Sequence, residues 1–141
     1  MSETYCFIDT AILVRHLTRD VEPLASQAAA FFSAIERDEI SAELGITVIL
    51  ETIFVMTTKY GANREMLAEG LISILALEGL RIPDKPQVIE AIRLWAKVRR
   101  LSFPDAVHLT MTRHSTHKRI ATFDRGMGNV LAEVVRIEQL P

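Results

Sequence analysis

The sequence predicts an α/β fold, a largely parallel sheet flanked by helices. Two observations predict it. Short β-branched and aromatic runs alternate along the chain with longer stretches of helical period, the pattern of strand–crossover–strand units. Hydrophobic residues also make up 49% of the 141 positions, enough to build one core without staples. Neither a repeat nor a low-complexity tract nor a linker interrupts the pattern, so a single domain over residues 1–141 is expected.

Residues 4–9 form the first expected strand, and residues 10–17 follow with helical spacing at Leu13 and Leu17. Residues 22–37 predict a helix with Pro23 near its first turn, and residues 39–43 a short strand. Residues 47–60 predict an apolar helix, with Thr47 as N-cap and Gly61 as its stop. Another helix is expected over residues 63–77, capped by Asn63, then a brief strand over 80–82 before the turn Pro83-Asp84-Lys85-Pro86. Residues 87–100 are amphipathic, and residues 104–113 predict a shorter helix. A strand over 119–123 ends at Asp124-Arg125-Gly126, and residues 134–137 predict the last strand.

Composition narrows the function classes. The longest apolar run, residues 44–56, is broken by Glu51 and is shorter than the roughly 20 residues that span a bilayer. Met1-Ser2-Glu3-Thr4 carries no basic segment ahead of the first apolar run. The lone Cys6 has no disulfide partner within the chain and is expected to be buried. A cytoplasmic protein is therefore expected. The net charge of −2 hides an asymmetry: residues 85–125 hold nine Lys/Arg against three Asp/Glu, while residues 1–84 hold six against thirteen. Two of those three acids are Asp105 and Asp124. Basic surface around a few carboxylates suits a polyanion held by a metal, and equally describes solvated helix faces.

Four acids stand out. Asp9 ends the first strand, where it either faces the sheet's carboxyl edge or caps the next helix. Glu51 has Thr47, Val48, Phe54 and Val55 as helical neighbours, so it is expected to be at least partly buried and metal-bound, the alternatives being a salt bridge to an arginine or a more exposed face. Asp105 lies in Ser102-Phe103-Pro104-Asp105, a Ser-x-x-acid capping box, a role compatible with facing a site at the helix mouth. Asp124 ends a strand ahead of Gly126, and alternation puts Thr122 on its side, placed to orient it. All-oxygen ligands without a cysteine or histidine pair suit Mg²⁺ or Mn²⁺ rather than Zn²⁺.

Four motifs in order, Phe7-Ile8-Asp9-Thr10 with Leu13-Val14-Arg15, Leu50-Glu51, Phe103-Pro104-Asp105-Ala106-Val107-His108-Leu109 and Ala121-Thr122-Phe123-Asp124-Arg125, resemble the PIN-domain family nearly end to end. The likeness is greatest to VapC toxins of bacterial toxin–antitoxin pairs. The resemblance implies a parallel sheet flanked by helices and metal-dependent endonucleolytic cleavage of RNA. Asp9, Glu51, Asp105 and Asp124 become the catalytic and metal-binding acids for Mg²⁺ or Mn²⁺, with Thr10 and Thr122 in support. It further implies a homodimer and a VapB-like antitoxin as partner. Pro104 and the basic loop His114-Ser115-Thr116-His117-Lys118 depart from the pattern, and Asp124 matches a position that varies in the family.

Arg99, Arg100, Arg113, Lys118, Arg119 and Arg125 are candidates for an RNA track. His108 reads as a packing residue, and Trp95 as core or dimer contact. The rival function is a PIN-like module that binds RNA or a partner without cutting. A phosphatase using Asp9 as phosphoryl acceptor lacks a second acid on the Thr10-Ala11-Ile12 loop, and a receiver-type signalling domain lacks an acidic pair before the strand-end aspartate.

Overall fold

In a computed structural model, the description covers residues 5–124, 127, 130 and 136–140. The chain divides into two units, Met1–Lys85 and Pro86–Pro141.

The first unit is built on three parallel strands, β1 (Tyr5–Phe7), β2 (Ser41–Glu43) and β3 (Leu80–Arg81), ordered β1-β2-β3. Parallel neighbours require crossovers. These are α1 (Thr10–Thr18) with α2 (Leu24–Glu36), then α3 (Ile46–Thr58) with α4 (Arg64–Leu75). The register sets Phe7 opposite Glu43 and Glu43 opposite Arg81, so the three strands end together. Ile8 extends the ladder by donating its N–H to the Glu43 carbonyl at 2.8 Å.

Each helix hides one stripe. In α2 the buried residues are Ala25, Ala28, Phe32 and Ile35, spaced three and four apart, and α1 packs on both α2 and α3. Asn63 caps α4 by accepting from the Met66 N–H at 3.1 Å, as its place before the apolar run predicts. The start of α3 differs from expectation. Gly45 is its N-cap and Thr47 lies inside the helix, because the chain leaves β2 only two residues before it turns helical. Cys6 is half-buried rather than buried, at a strand position flanked by exposed Tyr5 and Phe7.

The second unit holds α5 (Lys85–Lys97, entered from the end of the first unit), α6 (Phe103–Arg113), β4 (Arg119–Thr122) and β5 (Arg136–Gln139). Strands β4 and β5 pair in parallel, with Ile120 opposite Ile137, and α6 packs on β4. Trp95 of α5 is 2% exposed and meets the Phe103 ring of α6 edge-on, with centroids 6.1 Å apart. It is a core residue, joining the two helices. Both sheets are parallel and carry helices, which is the α/β architecture the alternating pattern predicts. The expected strand over 134–137 coincides with β5 at residues 136–137; residues 134–135, Thr4 and Gly126 lie outside the described residues. Among the described residues no helix is long and apolar enough to cross a membrane.

Gly79 sits where a side chain has no room. A Cβ there would lie 3.0 Å from Ile35 Cγ2 and 3.2 Å from the Ile35 carbonyl oxygen. Gly79→Ala is expected to destabilise the protein by about 1–3 kcal/mol through overpacking, read as a lowered Tm. His16 supplies a pH prediction. Its ring packs on Phe32 at 4.7 Å, and its Nδ1 is buried without a partner among the described residues. Burial first, then the Arg19 guanidinium, lowers its pKa. The unfolded chain then binds the proton first as pH falls. Stability is full above about pH 6.5 and declines below it until the folded ring also protonates. Urea unfolding across this range is expected to show a shallower acid-side decline in His16→Leu than in the native chain.

Candidate functional site

Asp9 follows β1 at the carboxyl edge of the first sheet and is the N-cap of α1. Its Oδ1 accepts from the Thr10 N–H at 2.8 Å, while the side chain stays exposed. Thr10 is buried in the first turn. Capping and presentation at the sheet edge thus coexist in one carboxylate.

Glu51 corrects an expectation. It is exposed, not partly buried. The buried stripe of α3 is Ile49, Thr52, Ile53 and Met56. Glu51 falls on the opposite stripe with Thr47, Phe54 and Thr58, all exposed, Phe54 by 67%. Three of those four residues are polar and recur at helical spacing, so the outward face of α3 is the stripe that holds Glu51, while Val48 and Val55 belong to its flanks. Glu51 therefore carries no large desolvation penalty that would demand a counter-ion. Its helix starts where β2 ends, in register with the end of β1, so Asp9 and Glu51 both belong to the carboxyl side of the first sheet.

In the second unit, Ser102 caps α6 by accepting from the Asp105 N–H at 3.2 Å. The bond uses the Asp105 backbone, so its half-buried carboxylate is not consumed by the cap. Asp124 is exposed beyond the end of β4, and its N–H donates to Thr122 Oγ1 at 2.9 Å. Thr122 thus fixes the backbone that carries Asp124. Only residues 114–118 join α6 to β4, and the two pack together, so β4 runs back along the helix.

Carboxylate oxygens are the donors that Mg²⁺ or Mn²⁺ prefers. Yet among the described residues no three His, Cys, Asp or Glu side chains form a group that could hold a metal ion. The donor chemistry fits such an ion and the described arrangement does not complete its site.

Cations are abundant around α5 and α6. Arg93, Lys97, Arg99, Arg100, Arg113, Lys118 and Arg119 are exposed. Arg113 is 3.3 Å from Glu90, and Arg119 pairs with Glu138 at 2.6 Å. Arg125 lies outside the described residues. His108 is exposed and its carbonyl accepts from the Thr112 hydroxyl at 2.6 Å, so it is not the packing residue that its apolar surroundings suggest. Glu90 belongs to no motif of the sequence, yet it receives both Arg113 and, at 3.2 Å, His114 Nε2. The residues lie 23 and 24 positions apart, and only the pairing of α5 with α6 brings them together.

The Ser102 cap yields a measurable effect. Ser102→Ala is expected to remove about 1 kcal/mol of stability, seen as a lower urea midpoint with an unchanged m-value.

These elements, parallel strands with helical crossovers and acids beyond the strand ends, agree with the comparison of the chain to known families. The PIN domain matches residues 6–132. No curated protein matches the chain. The match takes in both units and all four acids, and the chain belongs to the PIN-domain family.

Proposed function

We propose that this PIN-domain chain is an RNA-binding module. The observation that carries this reading is the contrast between an abundant exposed cationic surface in the second unit and the lack, among the described residues, of any convergent metal-ligand group. Exposed arginines and lysines attract the phosphate backbone without regard to sequence, and that attraction alone supports binding.

A second reading is favoured by a different observation. Asp9, Glu51, Asp105 and Asp124 all lie within the family-matched residues 6–132, three of them exposed and the fourth half-buried. On this reading the chain is a metal-dependent endoribonuclease of the VapC toxin type, cytoplasmic, homodimeric and held by a VapB-like antitoxin. A bound Mg²⁺ or Mn²⁺ would supply an activated water and neutralise phosphate charge. Asp9, Glu51, Asp105 and Asp124 would hold the ion, while Thr10 and Thr122 support the backbone that carries Asp9 and Asp124.

One experiment separates the two. Antitoxin-free protein is mixed with a pool of structured and single-stranded RNAs in Mg²⁺, Mn²⁺ or EDTA, with Asp9→Asn alongside. Binding that persists in EDTA, with intact RNA in either metal, is the expected result for the module. Discrete products that require metal and vanish in Asp9→Asn would replace it with the endoribonuclease.

A further inference from the structure

One face of β4 ends in an aromatic ring that the fold does not use. Arg119, Ala121 and Phe123 alternate with Ile120 and Thr122. Alternation puts the first three on one side, and all three are exposed, while Ile120 and Thr122 are half-buried. Phe123 is 73% exposed, as open as any large hydrophobic side chain among the described residues. No other ring packs against it among those residues.

A single exposed hydrophobic residue is ordinary on a protein surface. Three observations set Phe123 apart. First, its backbone is held on both sides. The Leu140 N–H donates to the Thr122 carbonyl at 2.8 Å, and the Asp124 N–H donates to Thr122 Oγ1 at 2.9 Å. A ring presented from a fixed support costs less ordering when it makes a contact. Second, it has an apolar companion. The ladder sets Thr122 opposite Gln139, and Leu140, also exposed, follows Gln139 as Phe123 follows Thr122. Third, it belongs to the cationic unit. Residues 86–141 hold nine Lys/Arg and five Asp/Glu, against seven and thirteen in residues 1–85.

This charge excess favours a nucleic acid over an apolar protein surface, because the cores of protein interfaces are depleted of charged residues. A polyanion drawn to the cations meets an open aromatic face on the same unit. Every nucleobase has a π face, and aromatic side chains, including those borne on sheets, hold unpaired bases by stacking. In a duplex those faces are already stacked on their neighbours.

We infer that Phe123 is a stacking platform for an unpaired nucleobase of bound RNA. The inference rests on the RNA-binding reading and narrows its ligand to single-stranded segments. Phosphates are attracted by the cations of the unit, and the ring takes a base.

The test uses the full chain in EDTA, so that no cleavage intervenes. A mixed-sequence single-stranded RNA carrying one fluorescent adenine analogue is titrated at several salt concentrations, beside the same RNA annealed to its complement. Anisotropy reads binding and analogue quenching reads stacking. Phe123→Ala is expected to weaken single-strand binding about fivefold to a hundredfold, the range of one lost base stack, and to abolish the quenching. Its log–log salt slope stays unchanged, because stacking releases no counterions. Duplex binding and Tm also stay unchanged. Phe123→Tyr keeps affinity and quenching, whereas Phe123→Leu, apolar but without a π face, keeps neither. The control Met66→Ala removes an equally exposed side chain from the first unit and changes nothing.

Unchanged single-strand binding in Phe123→Ala overturns the inference and leaves the RNA reading standing. Equal losses on single strand and duplex, or full affinity in Phe123→Leu, overturn it too. So does altered sedimentation of the RNA-free chain in Phe123→Ala, which would assign the ring to a contact between protein chains. If the native chain binds RNA in neither form, the RNA reading falls and the stacking site falls with it.

Discussion

The parallel ladder of β1, β2 and β3 is the constraint on which the first unit depends. Parallel strands cannot be joined by a tight turn, so each connection must leave one end of the sheet and return to the other. Helices α1 through α4 fill these returns. The register, Phe7 to Glu43 to Arg81, brings the three strands to a common carboxyl edge. Whatever follows a strand there, Asp9 after β1 or the Gly45 start of α3 after β2, emerges on the same side. The placement of acids is thus a consequence of connectivity before it is a matter of side-chain chemistry.

At the ends of these elements, local hydrogen bonds fix the backbone beside each acid. Asp9 accepts from the Thr10 N–H and so satisfies one of the donors that every helix start leaves open, yet it remains exposed. Ser102 performs the capping for α6, which frees the Asp105 carboxylate from that task. Thr122 fixes the Asp124 backbone. In each case a short hydrogen bond of local origin holds an acid at the end of an element, where flexibility would otherwise cost positional entropy.

The second unit adds charge to this scheme. Its cations stay outside while Trp95, Phe103, Ala106 and Leu109 are buried. Glu90 draws Arg113 and His114 together at partly exposed positions, where each ion pair contributes little stability. Their effect is on local arrangement: they tie the end of α6 to the first half of α5.

Local signals in the sequence are enough for the order and type of the described elements. Helical period, β-branched runs and the Asn63 and Ser102 caps are short-range signals, and each acts within a few residues of itself. The acids were legible for the same reason, since Asp9 and Asp124 stand beside strands the pattern marks. The exposure of Glu51 is settled by packing: α1 and α4 contact α3, and the stripe of Thr47, Glu51, Phe54 and Thr58 stays outside, although Val48, Phe54 and Val55 beside Glu51 suggest burial. The Glu90 pairing was likewise decided by tertiary structure. It depends on residues that are distant in the chain and meet only through helix packing, which no local periodicity encodes.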